Sequence, residues 1–212
     1  MPKPDLTPLM ALFIKPLGEG QTLTDRMKEF GALALASDTI GEQGFIEGFG
    51  RSLMDLPWPK GFVCTAVDAV SGAFQQWDES TGAPLAQAVA SSCSVPGIFP
   101  PITIAGRRYI DGGVRSATSI DVAKGARRVL ALAVVGRLGR EMQVARIQPE
   151  LESLKPEGEG LLIVPDDASL NVFGMNLMEA KDRAGIARAG YDQGRREAKR
   201  VRPFWSQPVS LI

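Results

Sequence analysis

The chain has 212 residues, 44% hydrophobic and 23% charged, with 24 basic and 24 acidic side chains and no histidine. That size suits one globular domain with a real core, and the composition excludes collagen-like, disordered and coiled-coil classes. Without histidine, the chain acting alone cannot build a Ser-His-Asp triad, a Cys-His dyad or an HExxH zinc site. Chemistry is left to carboxylates, hydroxyls, thiols, lysines and backbone groups. The balanced charge gives no net field to draw in nucleic acid, so no nucleic-acid partner is expected. Cys64 and Cys93 have no metal spacing and lie in apolar stretches, so they read as buried thiols. The apolar run from Leu9 to Ile14 is far shorter than a membrane span and is followed by Pro16, with no cleavage site evident. A cytoplasmic location is the default expectation.

In chain order, residues 1–20 carry four prolines and read as irregular, with at most one short apolar turn. The segment Thr22-Leu23-Thr24-Asp25 opens a helical pattern to about residue 37, with Leu23, Met27, Phe30, Leu33 and Leu35 as its apolar members. A second helix is expected over 43–54, weakened by three glycines. The run 62–67 then reads as a strand covered on both faces, ending in Asp68, and 73–77 as a second strand after the Ser71-Gly72 turn. Residues 85–92 form an alanine-rich helix that must stop before Pro96. Two short strands, 102–104 and 107–110, flank an Ala105-Gly106 turn. Strands are expected again at 128–135 and 161–164, then a long helix over 178–202. Alternating strands and helices predict an α/β fold with a mainly parallel sheet, in one domain spanning 1–212.

On the last helix, Ala180, Ala184, Ala187, Tyr191, Gly194, Ala198 and Val201 recur at steps of three and four, a stripe of mostly small residues suited to close packing. The other face is rich in Arg and Lys. It reads as a solvated surface with cations gathered towards the helix C-terminus.

The most informative stretch is 89–135. There Asp111-Gly112-Gly113 directly follows a strand, and the two glycines can free the backbone to hold a carboxylate at a tight, exposed strand end. Strand carboxyl ends are where α/β sheets bind ligands, although an ordinary Asp-Gly turn reads the same way. The wider series is more specific. An alanine-rich helix, then Ser94-Val95-Pro96-Gly97-Ile98-Phe99-Pro100-Pro101, a hairpin and Asp111-Gly112-Gly113-Val114 resembles the C-terminal half of patatin-like phospholipases. Val67-Asp68-Ala69-Val70-Ser71-Gly72, Pro165-Asp166 and Phe173-Gly174-Met175-Asn176 extend the likeness from about residue 60 to the end.

The resemblance implies a three-layer α/β/α sandwich and a fatty-acyl ester or phospholipid substrate. It also implies a Ser-Asp dyad with neither cofactor nor metal. Asp111 takes the base by position, and Gly112 and Gly113 complete its motif. Transient contact with a membrane surface fits such a substrate. However, Gly-x-Ser-x-Gly, which carries the family's nucleophile, is absent from these residues, as is a glycine-rich oxyanion loop. Gly50-Arg51-Ser52-Leu53-Met54 lacks the second glycine and a preceding strand, and Ser91, Ser92 and Ser94 read as helix-end hydroxyls bonding nearby backbone. The expectation is a partial patatin-like domain with its N-terminal strands missing and an open sheet edge for a partner to cover. It would be a hydrolase retaining its Asp base without its serine, half of a split enzyme, or a non-catalytic remnant. Asp68 should end its strand in a turn, Asp121 should cap or face solvent, and Asp166-Asp167 should sit in a capped loop rather than at a metal.

Overall fold

Helical structure begins earlier than the proline-rich start suggests. The computed structural model describes residues 5–137, 139–173 and 182–206. Within it Thr7–Ile14 forms a helix, α1, with a proline in its first turn and Leu9 buried. The last carbonyls of such a short helix have no partner of their own. Arg26 supplies them from the next helix: Nη1 donates to the carbonyls of Leu12 at 2.6 Å and Lys15 at 2.7 Å, and Nη2 to that of Pro16 at 2.8 Å. Local sequence cannot show this, since the donor lies 10–14 residues away. Helix α2, Leu23–Ala36, starts on a capping box in which Thr22 Oγ1 accepts from the Asp25 N–H and Asp25 Oδ2 accepts from the Thr22 N–H, both at 3.1 Å. Helix α3 covers Glu42–Gly50 and is followed by turns rather than continuing to residue 54.

The chain divides into two units, Met1–Ala117 and Thr118–Ile212. In the first, β1 (Cys64–Asp68), β2 (Phe74–Trp77), β3 (Ile102–Ile104) and β4 (Arg107–Asp111) form one sheet in the order β2-β1-β4-β3, with helix α4 at Leu85–Ser92. Every ladder in it is antiparallel, which corrects the expectation of a mainly parallel sheet. The links decide the direction. The β1–β2 and β3–β4 connections are too short for the crossover that a parallel pair needs. Phe62 and Val63 lie outside β1 and are exposed.

Both faces of this sheet are covered. Cys64, Ala66 and Tyr109 pack with Phe45 and Ile46 of α3 and with Ala86, Ala88 and Ala90 of α4. Alternate residues Val67 and Ile110 pack with Met27, Phe30 and Ala34 of α2. Helix α2 crosses the β1–β2 turn at very close range. A Cβ on Gly31 would lie 1.9 Å from the Ala69 carbonyl oxygen, and one on Gly72, which has φ +69°, would lie 2.4 Å from that of Thr24. Glycine at both positions is therefore a requirement of approach, added at Gly72 to one of conformation.

In the second unit β5 (Arg128–Leu132) and β6 (Glu159–Ile163) pair in parallel, joined through helix α5 at Arg140–Glu152, as a parallel pair requires. The β5 ladder is shorter than the predicted 128–135 and ends with one further bond, from the Ala133 N–H to the Ile163 carbonyl at 3.0 Å. Ala131, Ala133 and Val135 pack with Ile147 and Leu151 of α5. Helices α6 (Asp167–Phe173) and α7 (Arg183–Ser206) follow. The architecture is thus mixed α/β, with helices and sheet in each unit.

Helix α7 buries little of the predicted stripe: of its described members only Ala198 and Val201 are even half-buried. Ala184, Ala187 and Gly194 are exposed and Tyr191 is 66% exposed, while Ala180 lies outside the described residues. The buried residue is Gln193. Its Oε1 accepts from the Asp166 N–H at 3.0 Å and the Ser169 hydroxyl at 2.8 Å, and its Nε2 donates to the Val164 carbonyl at 2.7 Å. An amide bonded at both its oxygen and its nitrogen can be buried where a pattern of small apolar residues would not place it.

Candidate active site

Strand β4 ends at Asp111, opposite Ala66 of β1. Strand alternation puts Tyr109 and Asp111 on the face shared with α4, with Ile110 facing α2. The Asp111 N–H donates to the Ser94 carbonyl at 3.0 Å, just beyond the end of α4. Its Oδ1 accepts from the Gly113 N–H at 2.7 Å and so caps the short 3-10 turn Gly112–Val114.

The carboxyl is partly buried rather than exposed, as the sequence led one to expect. Desolvation pushes its pKa up from 3.8 to about 6, against the lowering effect of the Gly113 N–H. A carboxylate in this state is ionised at neutral pH and still basic enough to take a proton.

Gly112 and Gly113 do not have positive φ. The need for glycine at Gly112 is steric instead, because a Cβ there would sit 2.3 Å from Thr65 Oγ1 and 2.6 Å from the Thr65 carbonyl oxygen. A Cβ on Gly113 would come within 2.9 Å of Asp111 Oδ1. The motif therefore lets the turn close over β1 and leaves the carboxyl its place.

The neighbouring thiols are unsuited to attack. Both are free. Burial, with a smaller contribution from Cys93, pushes Cys64 up to about 12; burial and then the Asp111 charge raise Cys93 as well. Neither is a thiolate at neutral pH, and the thiolate is the nucleophile. The hydroxyls are engaged too. Ser91 Oγ donates to the Ala88 carbonyl at 2.7 Å and accepts from Trp77 Nε1 at 3.1 Å, while Ser94 Oγ donates to the Pro100 carbonyl. Both serines are fully buried, Ser92 is partly buried, and Ser52 lies in an exposed turn after α3.

Asp68 closes β1 in a turn, as its position implies. Its Oδ1 accepts from the Val70 N–H at 3.1 Å, the Ser71 N–H at 2.7 Å and the Ser71 hydroxyl at 2.8 Å; its Oδ2 accepts from Arg107 Nε at 2.8 Å. Burial alone would raise this carboxyl, but those bonds and the guanidinium hold it below its ordinary value. Asp121 lies in the 3-10 turn Ile120–Ala123. Asp166 caps α6 through the Ser169 N–H at 2.9 Å and pairs with Arg196 at 2.6 Å, and Asp167 is largely exposed. No group of three His, Cys, Asp or Glu side chains that could hold a metal occurs among the described residues. Nor, among them, is any helix long and apolar enough to cross a membrane.

The sequence singled out Asp111 but not what holds it. The Ser94–Asp111 bond joins two residues far apart in the chain, and nothing local announces it. The sequence around Cys93 points to a buried thiol and gives no sign that its environment includes the carboxyl.

A comparison with curated proteins returns no match. A family model described as Patatin-like phospholipase matches residues 12–124, beginning well before residue 60, ending short of the Pro165-Asp166 and 173–176 segments, and taking in α2 to α4, all four strands of the antiparallel sheet and the Asp-Gly-Gly turn. With more than half of its length matched, this chain belongs to the patatin-like phospholipase family.

Proposed function

We propose that this chain is part of a patatin-type acyl-ester hydrolase and that Asp111 is its general base. The substrate would be a phospholipid or another fatty-acyl ester. The observation that carries the reading is the Asp111 carboxyl itself, anchored at a strand end, partly desolvated, raised to about 6 and bonded to a single N–H. In the proposed reaction Asp111 takes the proton of a serine hydroxyl as the serine oxygen bonds to the acyl carbon. The proton then passes to the leaving alkoxide. In a second step water bonds to the acyl carbon as Asp111 takes its proton, and that proton returns to the serine oxygen as the acyl–serine bond breaks.

The serine and the oxyanion donors would come from polypeptide outside these residues, because no Gly-x-Ser-x-Gly occurs among them. On this reading the 212 residues are one partial patatin domain. A second reading, a non-catalytic patatin-like protein, is favoured by one observation: the hydroxyls of Ser91 and Ser94 are committed to backbone carbonyls.

A fluorophosphonate probe, which labels activated serines, tests both. The expected result is no labelling of the chain alone, and labelling after addition of a family segment bearing Gly-x-Ser-x-Gly that Asp111→Asn abolishes. Labelling of the chain alone overturns the assignment of the serine elsewhere. Absence of labelling with the segment folded and bound selects the non-catalytic reading.

A further inference from the structure

We propose that the second unit carries a binding site for one long-chain fatty carboxylate, with the chain in an apolar cleft beside α7 and the head group on a cationic rim. The site lies wholly within Thr118–Ile212, so it does not rest on any role of Asp111.

The cleft has a volume of about 450 Å³ and is walled by Leu130, Leu132 and Ile163 of the parallel strand pair and by Gly194, Ala198 and Val201 of α7. That volume falls within the range of small-molecule sites, roughly 300–1,000 Å³. Polar groups on its wall already have partners. Ser169 and Gln193 are bonded to each other and Gln193 also to Val164, while Glu197 is paired with Arg200 at 2.6 Å. The interior therefore offers an occupant surface to bury rather than hydrogen bonds, which selects a hydrocarbon. Gly190 and Gly194 are among its lining residues, and a Cβ at either would meet nothing within 4 Å. Leu132, on its wall, is 70% exposed.

The rim supplies the charge. Arg195, Lys199 and Arg202, spaced to lie along one side of α7, line a second hollow of about 300 Å³ together with Ala198, which also lines the apolar cleft. Arg196 is paired with Asp166 and Arg200 with Glu197, whereas Arg195, Lys199 and Arg202 have no ion-pair partner among the described residues. An apolar cleft that meets three exposed cations without ion-pair partners at one shared residue complements an amphiphile with one chain and one anionic head.

The test is calorimetric titration of the full chain with dodecanoate and dodecanol, both below their aggregation limits. Saturable binding of one dodecanoate is expected, with dodecanol about tenfold weaker for want of the charge. Affinity should rise about fourfold for each methylene added from octanoate upwards while the cleft has room. Gly194→Leu improves helix propensity, so the protein should remain folded, and by filling the cleft it should weaken dodecanoate about tenfold or more. Reversing the rim charges together, Arg195→Glu with Lys199→Glu and Arg202→Glu, should erase the preference over dodecanol. No saturable binding, equal binding of the two ligands, or full affinity in folded Gly194→Leu overturns the proposal. So does binding confined to phosphatidylglycerol vesicles, which would make the rim a surface for bilayers. Loss of fluorophosphonate labelling would leave this result untouched.

Discussion

The backbone N–H of Asp111 donates to the carbonyl of Ser94 at 3.0 Å, tying the last residue of β4 to the segment that leaves α4. Two strand-end carboxyls in the same sheet are thereby set apart. Asp68, at the end of β1, has a guanidinium and a ring of donors and is held below its ordinary value. Asp111 is raised by burial, with the Gly113 N–H acting against it. The two environments push these carboxyls in opposite directions.

For Asp111 the sign of the pH dependence is unusual for an acid. Its folded pKa of about 6 exceeds the ordinary 3.8, so between these values the folded state binds more protons than the unfolded one. Stability contributed by this group is present below about 4 and is lost as pH rises to about 6. Asp111→Asn should therefore stabilise the protein at pH 8 by on the order of 2 kcal/mol and leave it little changed at pH 3.5. Urea denaturation at both pH values measures this, and an unchanged or lower midpoint at pH 8 refutes it.

Asp68 carries the opposite expectation. Its contribution is present above the ordinary 3.8 and fades as pH falls through its lower folded value. Asp68→Ala should cost about 2–3 kcal/mol at pH 7, because it strips acceptors from the Val70 and Ser71 N–H groups. Arg107→Ala should cost less than about 1 kcal/mol, since the Arg107 side chain is 58% exposed. Comparable losses in the two variants would show that the ion pair, rather than the turn, holds the β1 end.

Gly112→Ala probes the approach of the Asp-Gly-Gly turn to β1. The added methyl would overlap the Thr65 hydroxyl and carbonyl, so a loss of about 2–3 kcal/mol is expected. Pairing it with Thr65→Ala tests the cause, because the hydroxyl clash is removed while the carbonyl clash stays, so only part of the loss should return. A fully stable Gly112→Ala would mean that the turn does not need this closeness.

Gln193→Leu tests the hub of the second unit. It leaves the Asp166 N–H, the Ser169 hydroxyl and the Val164 carbonyl without their partner, for a loss of about 2–4 kcal/mol. Hydrogen exchange should show protection lost first around residues 164–170, and unchanged exchange there would contradict the assignment.

Most elements were legible because local chemistry specifies them. The Thr22 and Asp25 pair starts α2, the approach to Pro96 limits α4, and Ala105-Gly106 turns β3 into β4. The candidate carboxyl stands out only through the wider motif series, since an aspartate and two glycines after a strand read by themselves as an ordinary turn. What could not be read was set by partners distant in the chain. Arg26 completes α1 from another helix, Gln193 turns α7 onto a face that apolarity would not choose, and the Ser94 carbonyl fixes the Asp111 backbone. Strand direction departs from the sequence pattern as well. Alternating elements suggested crossovers, whereas two tight links impose hairpins.

The double crossing of α2 over the β1–β2 turn leaves room for hydrogen alone at Gly31 and Gly72. In a library randomised at these two codons, survivors of a folding screen should carry glycine at both. A rare alanine at position 31 would have to come with changes under the helix that let it rise, thinning the seal over Val67 and Ile110 and admitting water to the layer behind the candidate base.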